Sequence, residues 1–218
     1  MSCMHRKDCR LTIVHRDPSF VVIDKPGGLL SVPGRGPENQ DCVVSRIKTI
    51  FAECIDQPAV HRLDMYTTGL MVLALTRETH QHLSRQFEQR IVEKRYIALL
   101  DGIVEKESGR ITLSFRLDPD NRPYQVCDPK QGKAGTTLWE KQDITSGKTR
   151  VQFIPLTGRT HQLRLHAAHV LGLGCPIVGD RLYGSGQEGD QMLLHASYLS
   201  FLHPCTGKQI KFNSPPPF

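Results

Sequence analysis

His61-Arg62-Leu63-Asp64-Met65-Tyr66-Thr67-Thr68-Gly69 places a carboxylate, a guanidinium, an imidazole and two hydroxyls within nine residues. The apolar run Leu70-Met71-Val72-Leu73-Ala74-Leu75 follows at once. A polar loop that feeds a buried strand is how many sites are built, because the strand fixes the loop while the loop's polar groups stay reachable. The spacing predicts a strand over 69–76, with Asp64 as a candidate nucleophile in the loop before it. The same residues also suit a carboxylate that caps a turn or pairs with Arg62. If Asp64 is reactive, an arginine beside it keeps it ionised by lowering its pKa. Arg62, two residues away on an extended segment, and Arg164, far downstream on a predicted helix, are equally good candidates for that partner.

Upstream, 11–16 and 20–25 are β-rich runs on either side of Asp17-Pro18-Ser19, the signature of a hairpin turn. Four glycines and two prolines in 25–36 exclude a helix there. They lack phosphate-loop spacing, and no G-K-[ST] follows. Asp41 is placed to cap a helix whose apolar face carries Val43, Val44, Ile47, Ile50 and Phe51. Thr76 is placed to cap a second helix, about 77–91, with Leu83, Phe87 and Ile91 on one face.

Downstream, strands are expected over 94–100, 109–115, 134–141, 149–156, 193–203 and 209–212. A long irregular excursion is expected over 116–135, and excursions of that length are often functional. The stretch Thr157-Gly158-Arg159-Thr160-His161-Gln162-Leu163-Arg164-Leu165-His166 predicts a third helix, capped by Thr160 and running to about Leu171, with Arg164 on its second turn. Many short strands and three helices without regular βαβ alternation indicate an α+β domain on a bent, mostly antiparallel sheet. No linker, internal repeat or low-complexity segment divides residues 1–218.

The chain has 218 residues, of which 39% are hydrophobic and 23% charged, enough for a real core. No apolar run approaches the roughly 18 residues of a membrane span. Residues 1–10 have no secretory h-region, so a cytoplasmic protein is expected, without membrane contact. The seven cysteines include no C-x-x-C pair, which favours reduced, mostly buried thiols over a disulfide framework or structural zinc. Cys3, His5 and Cys9 match no standard ligand set, so no metal site is expected. Lys and Arg outnumber Asp and Glu by 28 to 22, giving a net charge of +6, which is compatible with a polyanionic partner without requiring one.

The signature His61-Arg62-Leu63-Asp64-x-x-Thr67-Thr68-Gly69 resembles the active-site motif of the RluA family of RNA pseudouridine synthases. Three further segments carry the resemblance in order: Lys25-Pro26-x-Gly28-Leu29, Lys94-x-Tyr96, and Thr157-Gly158-Arg159-x-His161-Gln162-x-Arg164 with Gly179-Asp180 and Leu182-Tyr183-Gly184. The resemblance spans about residues 20 to 212. It implies the pseudouridine synthase fold, with a mixed sheet lining a basic RNA cleft, and isomerisation of uridine in RNA without metal or organic cofactor.

By that resemblance Asp64 matches the catalytic aspartate, Tyr96 the tyrosine that stacks on the uracil, with a base role also open to it, and Arg164 the arginine paired with the aspartate. Arg62 matches the residue that fills the space left by the flipped nucleotide. His61, Thr67, Lys25 and Leu165 join Arg62 as substrate-contact candidates, although His61 and His161 read more readily as structural than catalytic. Thr68 stands where the family usually has serine, which keeps the hydroxyl and adds a methyl. Ten residues before the first strand leave no room for the S4-type RNA-binding domain of many members. The short form and the 28–34 loop look most like the dual-specificity members that act on a 23S rRNA hairpin and a tRNA anticodon stem-loop, and a monomer is expected. The same chemistry at another tRNA or rRNA site, an idle-pocket RNA-binding or folding protein, and a base-excising glycosidase are the alternatives.

Overall fold

The structure, a computed structural model, describes residues 11–218. Cys3, His5 and Cys9 lie outside them. β1 (Thr12–Arg16) and β2 (Phe20–Lys25) form the expected antiparallel hairpin. Its turn is closed by Asp17 Oδ1, which accepts from the Ser19 N–H at 2.8 Å and the Ser19 hydroxyl at 2.7 Å. β2 pairs antiparallel with β3 (Thr68–Ala74), all seven residues of which are buried. A strand covered on both faces reads as one apolar run, and a helix supplies each cover. Val21, Ile23, Met71 and Leu73 pack on Val43, Val44 and Ile47 of α1 (Val43–Ile50). Phe20, Val22, Leu70 and Val72 pack on Leu83 of α2 (Arg77–Glu88).

The remaining strands are β4 (Glu93–Leu100), β5 (Ser108–Leu117), β6 (Gln125–Cys127), β7 (Lys133–Thr145), β8 (Lys148–Pro155), β9 (Leu194–Leu202) and β10 (Gln209–Asn213), with α3 (Gln162–Ala168) packed on the second core. The sheet order is β1-β2-β3-β9-β4-β8-β7-β5-β6, with β10 also on β9. Among the described strands every pairing is antiparallel except β3 with β9, which is parallel over Thr68↔His195 and Gly69↔Ala196. Gly69 has φ 107°, and a Cβ there would collide with the Ala196 backbone, so this junction requires glycine. The sheet is therefore mixed and mostly antiparallel, in an α+β domain.

Several element ends differ from expectation. α1 is capped by Cys42, whose Sγ accepts from the Ser45 N–H at 3.4 Å, while Asp41 instead pairs with Arg46 at 2.7 Å. Ile50 is exposed rather than on the apolar face. α2 starts where expected, with Thr76 Oγ1 accepting from the Thr79 N–H at 3.3 Å, but it ends at Glu88 and leaves Ile91 outside and exposed. α3 follows His161, which is left-handed (φ 55°, ψ 19°), so Thr160 is not its cap, and Arg164 falls in its first turn. Leu171 lies beyond the helix and is exposed.

The excursion over 116–135 is shorter than expected, because β5 runs into it, β7 starts within it and β6 pairs with β5 between them. The five described cysteines are free, but only Cys42 is buried, and Cys205 is exposed. Among the described residues no helix is long and apolar enough to cross a membrane.

Candidate active site

The loop before β3 is held by its backbone on both sides of Asp64. On one side the Ser31 hydroxyl donates to Leu63 O at 2.7 Å and accepts from the Leu63 N–H at 3.0 Å. On the other, Met65 O accepts from Lys25 Nζ and from the Gly28 N–H, both at 2.9 Å. Between these anchors the Asp64 side chain is 28% exposed and faces a cleft of about 880 Å³.

Lys25 is a strut of this loop. It is fully buried, and its ammonium also donates to Pro26 O and Leu29 O, each at 2.8 Å. Burial lowers its pKa to about 7, opposed by the Asp64 charge. All three acceptors of the Lys25 ammonium are backbone carbonyls, and none of its surface is exposed. Leu165 lies in the core under α3 and is not among the residues that line the cleft.

Arg164 answers which guanidinium meets Asp64. Its Nη1 lies 3.6 Å from Asp64 Oδ2, a charge contact beyond hydrogen-bonding range. Its hydrogen bonds go to Asp180, with Nε to Oδ2 at 2.8 Å and Nη2 to Oδ1 at 2.6 Å, a bidentate pair. Asp180 is fully buried and also accepts from the N–H groups of Leu182 at 2.9 Å and Tyr183 at 3.2 Å. Burial works to raise the Asp180 carboxyl, but the Arg164 and backbone hydrogen bonds hold it below its ordinary value. Asp180 therefore fixes Arg164, and Arg164 presents its remaining edge to Asp64. Sequence reasoning gave Asp180 no role; the Gly179-Asp180 pair was its only signal. Gly179, at φ 75°, lets the loop turn against Gln191 and sets Asp180 in place.

Arg62 is exposed at the cleft and has no hydrogen bond or ion pair among the described residues. Tyr96, on β4, packs against two cores and lines the cleft. Burial, and then the Asp64 charge, raise its phenol well above the ordinary value, so the group stays neutral. Thr67 is buried and lines the cleft, with its N–H on Asp64 O at 3.1 Å.

His61 also lines the cleft, but its Nε2 accepts from the Val72 N–H at 3.1 Å and its ring stacks on Phe87 with centroids 4.6 Å apart. Burial lowers its pKa to about 3, which keeps Nε2 an acceptor. His161 Nδ1 lies 2.8 Å from the Tyr183 hydroxyl, which itself accepts from the Gln125 N–H at 2.8 Å. Accepting from Gln125 leaves the Tyr183 proton available to Nδ1. Thr68 does not reach into the cleft; its hydroxyl lies 2.8 Å from His195 Nδ1.

The lining carries Arg62, Arg90, Lys94, Arg95, Arg159 and Arg164 against Asp64, Glu88 and Glu93. That excess of cations suits a phosphate-rich ligand. The arrangement offers a carboxylate on a fixed backbone, a guanidinium held beside it, and a neutral phenol against the same space. Among the described residues no three His, Cys, Asp or Glu side chains group so as to hold a metal ion.

The model of the RNA pseudouridylate synthase family matches residues 19–169. The chain is 44% identical over 215 residues to the dual-specificity RNA pseudouridine synthase RluA of Pasteurella multocida (strain Pm70), covering 97% of this chain and 95% of that protein. It is 40% identical over 212 residues to the protein of the same name from Escherichia coli (strain K12), covering 95% and 94%. Among solved structures, human RNA pseudouridylate synthase domain containing 1 is similar with a TM-score of 0.76 at 28% identity, over 96% of this chain and 84% of that one.

Proposed function

This chain belongs to the RNA pseudouridylate synthase family and converts uridine in RNA to pseudouridine; from that premise we propose that Asp64 is its nucleophile. The observation that carries this reading is the Asp64 carboxylate itself, on a backbone anchored at Leu63 and Met65, open to a basic cleft, with Arg164 Nη1 at 3.6 Å. Arg164, aligned by Asp180, sets a positive charge beside the carboxylate in the position from which it attacks.

In the reaction the C1′–N1 bond breaks, the uracil turns, and a C1′–C5 bond forms. The proton on C5 is lost and N1 gains one, so the atoms balance without a redox partner. The target uridine leaves its stack to enter the cleft, at a cost of a few kcal/mol that cationic contacts to phosphate offset. Tyr96 meets the uracil as a neutral phenol and acts by stacking; ionising it beside the Asp64 carboxylate would oppose both causes that raise its pKa. Arg62, exposed and unpaired, fills the gap that the extruded nucleotide leaves. The RNA is an rRNA hairpin, a tRNA anticodon stem-loop or both, and the protein acts on it as a cytoplasmic monomer.

RNA labelled with tritium at uridine C5 tests this reading. The protein releases tritium to water without freeing uracil, and Asp64→Asn abolishes the release while RNA binding persists. Free uracil would make it a glycosidase. Binding without tritium release from any cellular RNA would make the pocket idle, and release by Asp64→Asn would remove the nucleophile assignment.

A further inference from the structure

Three non-glycine residues among those described have positive φ: Arg90 at 61°, Ser146 at 52° and His161 at 55°. Ser146 and Gly147, the latter at 73°, form the two-residue turn between β7 and β8, where the strand twist calls for positive φ at both positions. The other two line the catalytic cleft. Residues held in this region cluster at functional sites, because elsewhere a better-suited residue satisfies the backbone.

His161 is held in place by Tyr183. Among the described residues no side chain holds Arg90. It closes α2 in a Schellman motif: its N–H donates to Phe87 O at 3.2 Å, and the Ile91 N–H donates to Gln86 O at 3.0 Å. The left-handed residue of that motif is most often glycine, which carries no Cβ penalty. Yet Arg90 is exposed, and its guanidinium makes no hydrogen bond, ion pair or ring contact among the described residues. Lys94 and Arg95, farther along the same rim, differ in this respect, for they lie over the Phe87 and Tyr198 rings at 5.6 Å and 4.8 Å. Glu88 and Glu93 share the rim without pairing to Arg90. A cation near a helix C-terminus gains from the dipole, but Arg85 already stands in the last turn of α2.

We propose that Arg90 is a phosphate-binding residue for the RNA substrate, its guanidinium taking a phosphodiester of the strand entering the cleft. The inference rests on RNA being the substrate and deepens that reading. The strained backbone position sets the side chain at the rim, and the absence of a protein partner leaves it free to release counterions when RNA binds.

The test is equilibrium binding of labelled unfractionated tRNA by wild type, Arg90→Gly and Arg90→Lys across a salt series, with thermal melts of each. Arg90→Gly melts at or above wild type, because glycine suits the helix end. Its Kd rises roughly three- to tenfold near physiological salt, and its plot of log K against log salt is shallower by about 0.7 to 0.9. Arg90→Lys keeps the wild-type slope. Wild-type affinity and slope in Arg90→Gly would overturn the inference, as would a loss in Arg90→Lys equal to that in Arg90→Gly. A wild-type protein that binds no tRNA even at low salt would remove the RNA reading together with it, whereas failure in the variants alone leaves that reading standing.

Discussion

The first turn of α3 and the loop before β3 meet at the same cleft and are built in opposite ways. In α3 the side chains are fixed. Gln162 donates to Thr136 O at 3.0 Å and Thr137 Oγ1 at 2.9 Å and accepts from the Thr157 hydroxyl at 2.7 Å, while Arg164 is locked to Asp180. In the loop the backbone is fixed by Ser31, Lys25 and Gly28, while Arg62 and Asp64 face open space. The first region sets a charge at a constant position; the second leaves the Arg62 and Asp64 side chains without hydrogen bonds to the described residues. A site needs both, since a nucleophile bonded to its neighbours would have to break those bonds before reacting.

Three changes break or sharpen this contrast, and the largest effect belongs to Asp180→Asn. It removes the charge that compensates buried Arg164, so stability falls by about 3–5 kcal/mol in urea unfolding. Tritium release falls as well, because Arg164 is no longer held towards Asp64. A variant as stable and active as wild type would show that α3 is not the rigid side.

His166, fully buried on α3 with Nδ1 at 2.9 Å from Thr137 Oγ1, gives the next effect. Burial lowers its pKa to about 4. Below about pH 6.5 the unfolded chain binds a proton there that the folded chain resists, so stability is present above that pH and is lost as pH falls through 4, by about 3 kcal/mol at pH 4. His61, lowered to about 3, adds in the same direction. His166→Asn flattens the acid limb of unfolding free energy against pH; an unchanged limb would place the loss elsewhere.

The smallest structural effect belongs to the open side. Arg62→Ala leaves stability within about 0.5 kcal/mol yet lowers kcat/KM for RNA roughly tenfold, the equivalent of one charge-assisted hydrogen bond. A clear drop in melting temperature would mean that Arg62 is structural after all.

What the sequence showed was mostly what local pattern controls. The hairpin at Asp17-Pro18-Ser19, the all-buried β3 and the Thr76 cap follow from turn chemistry and apolar runs, and each stands close to its expected place. Helix ends involving Thr160 and Asp41 were misread because each competes with a neighbour. Gln162, rather than Thr160, ties the residues before α3 by accepting from the Arg159 N–H at 3.0 Å, and Asp41 is taken by Arg46. Lysines are seldom buried, and nothing local in the sequence shows that the fold brings three carbonyls to the Lys25 ammonium. The grip of Asp180 on Arg164 links residues sixteen apart across a loop, and no periodicity announces such a pair.

The place of β9 in the sheet has a consequence for synthesis. It lies between β3 and β4 in space, yet it is made after every other strand but β10. Asp64 leaves the ribosome early, but the strand that joins its half of the molecule to that of Tyr96 and Arg164 emerges about a hundred and thirty residues later. A contact so distant in sequence forms late. The nascent chain therefore carries Asp64 long before it has a cleft, and the cleft closes only once β9 has emerged.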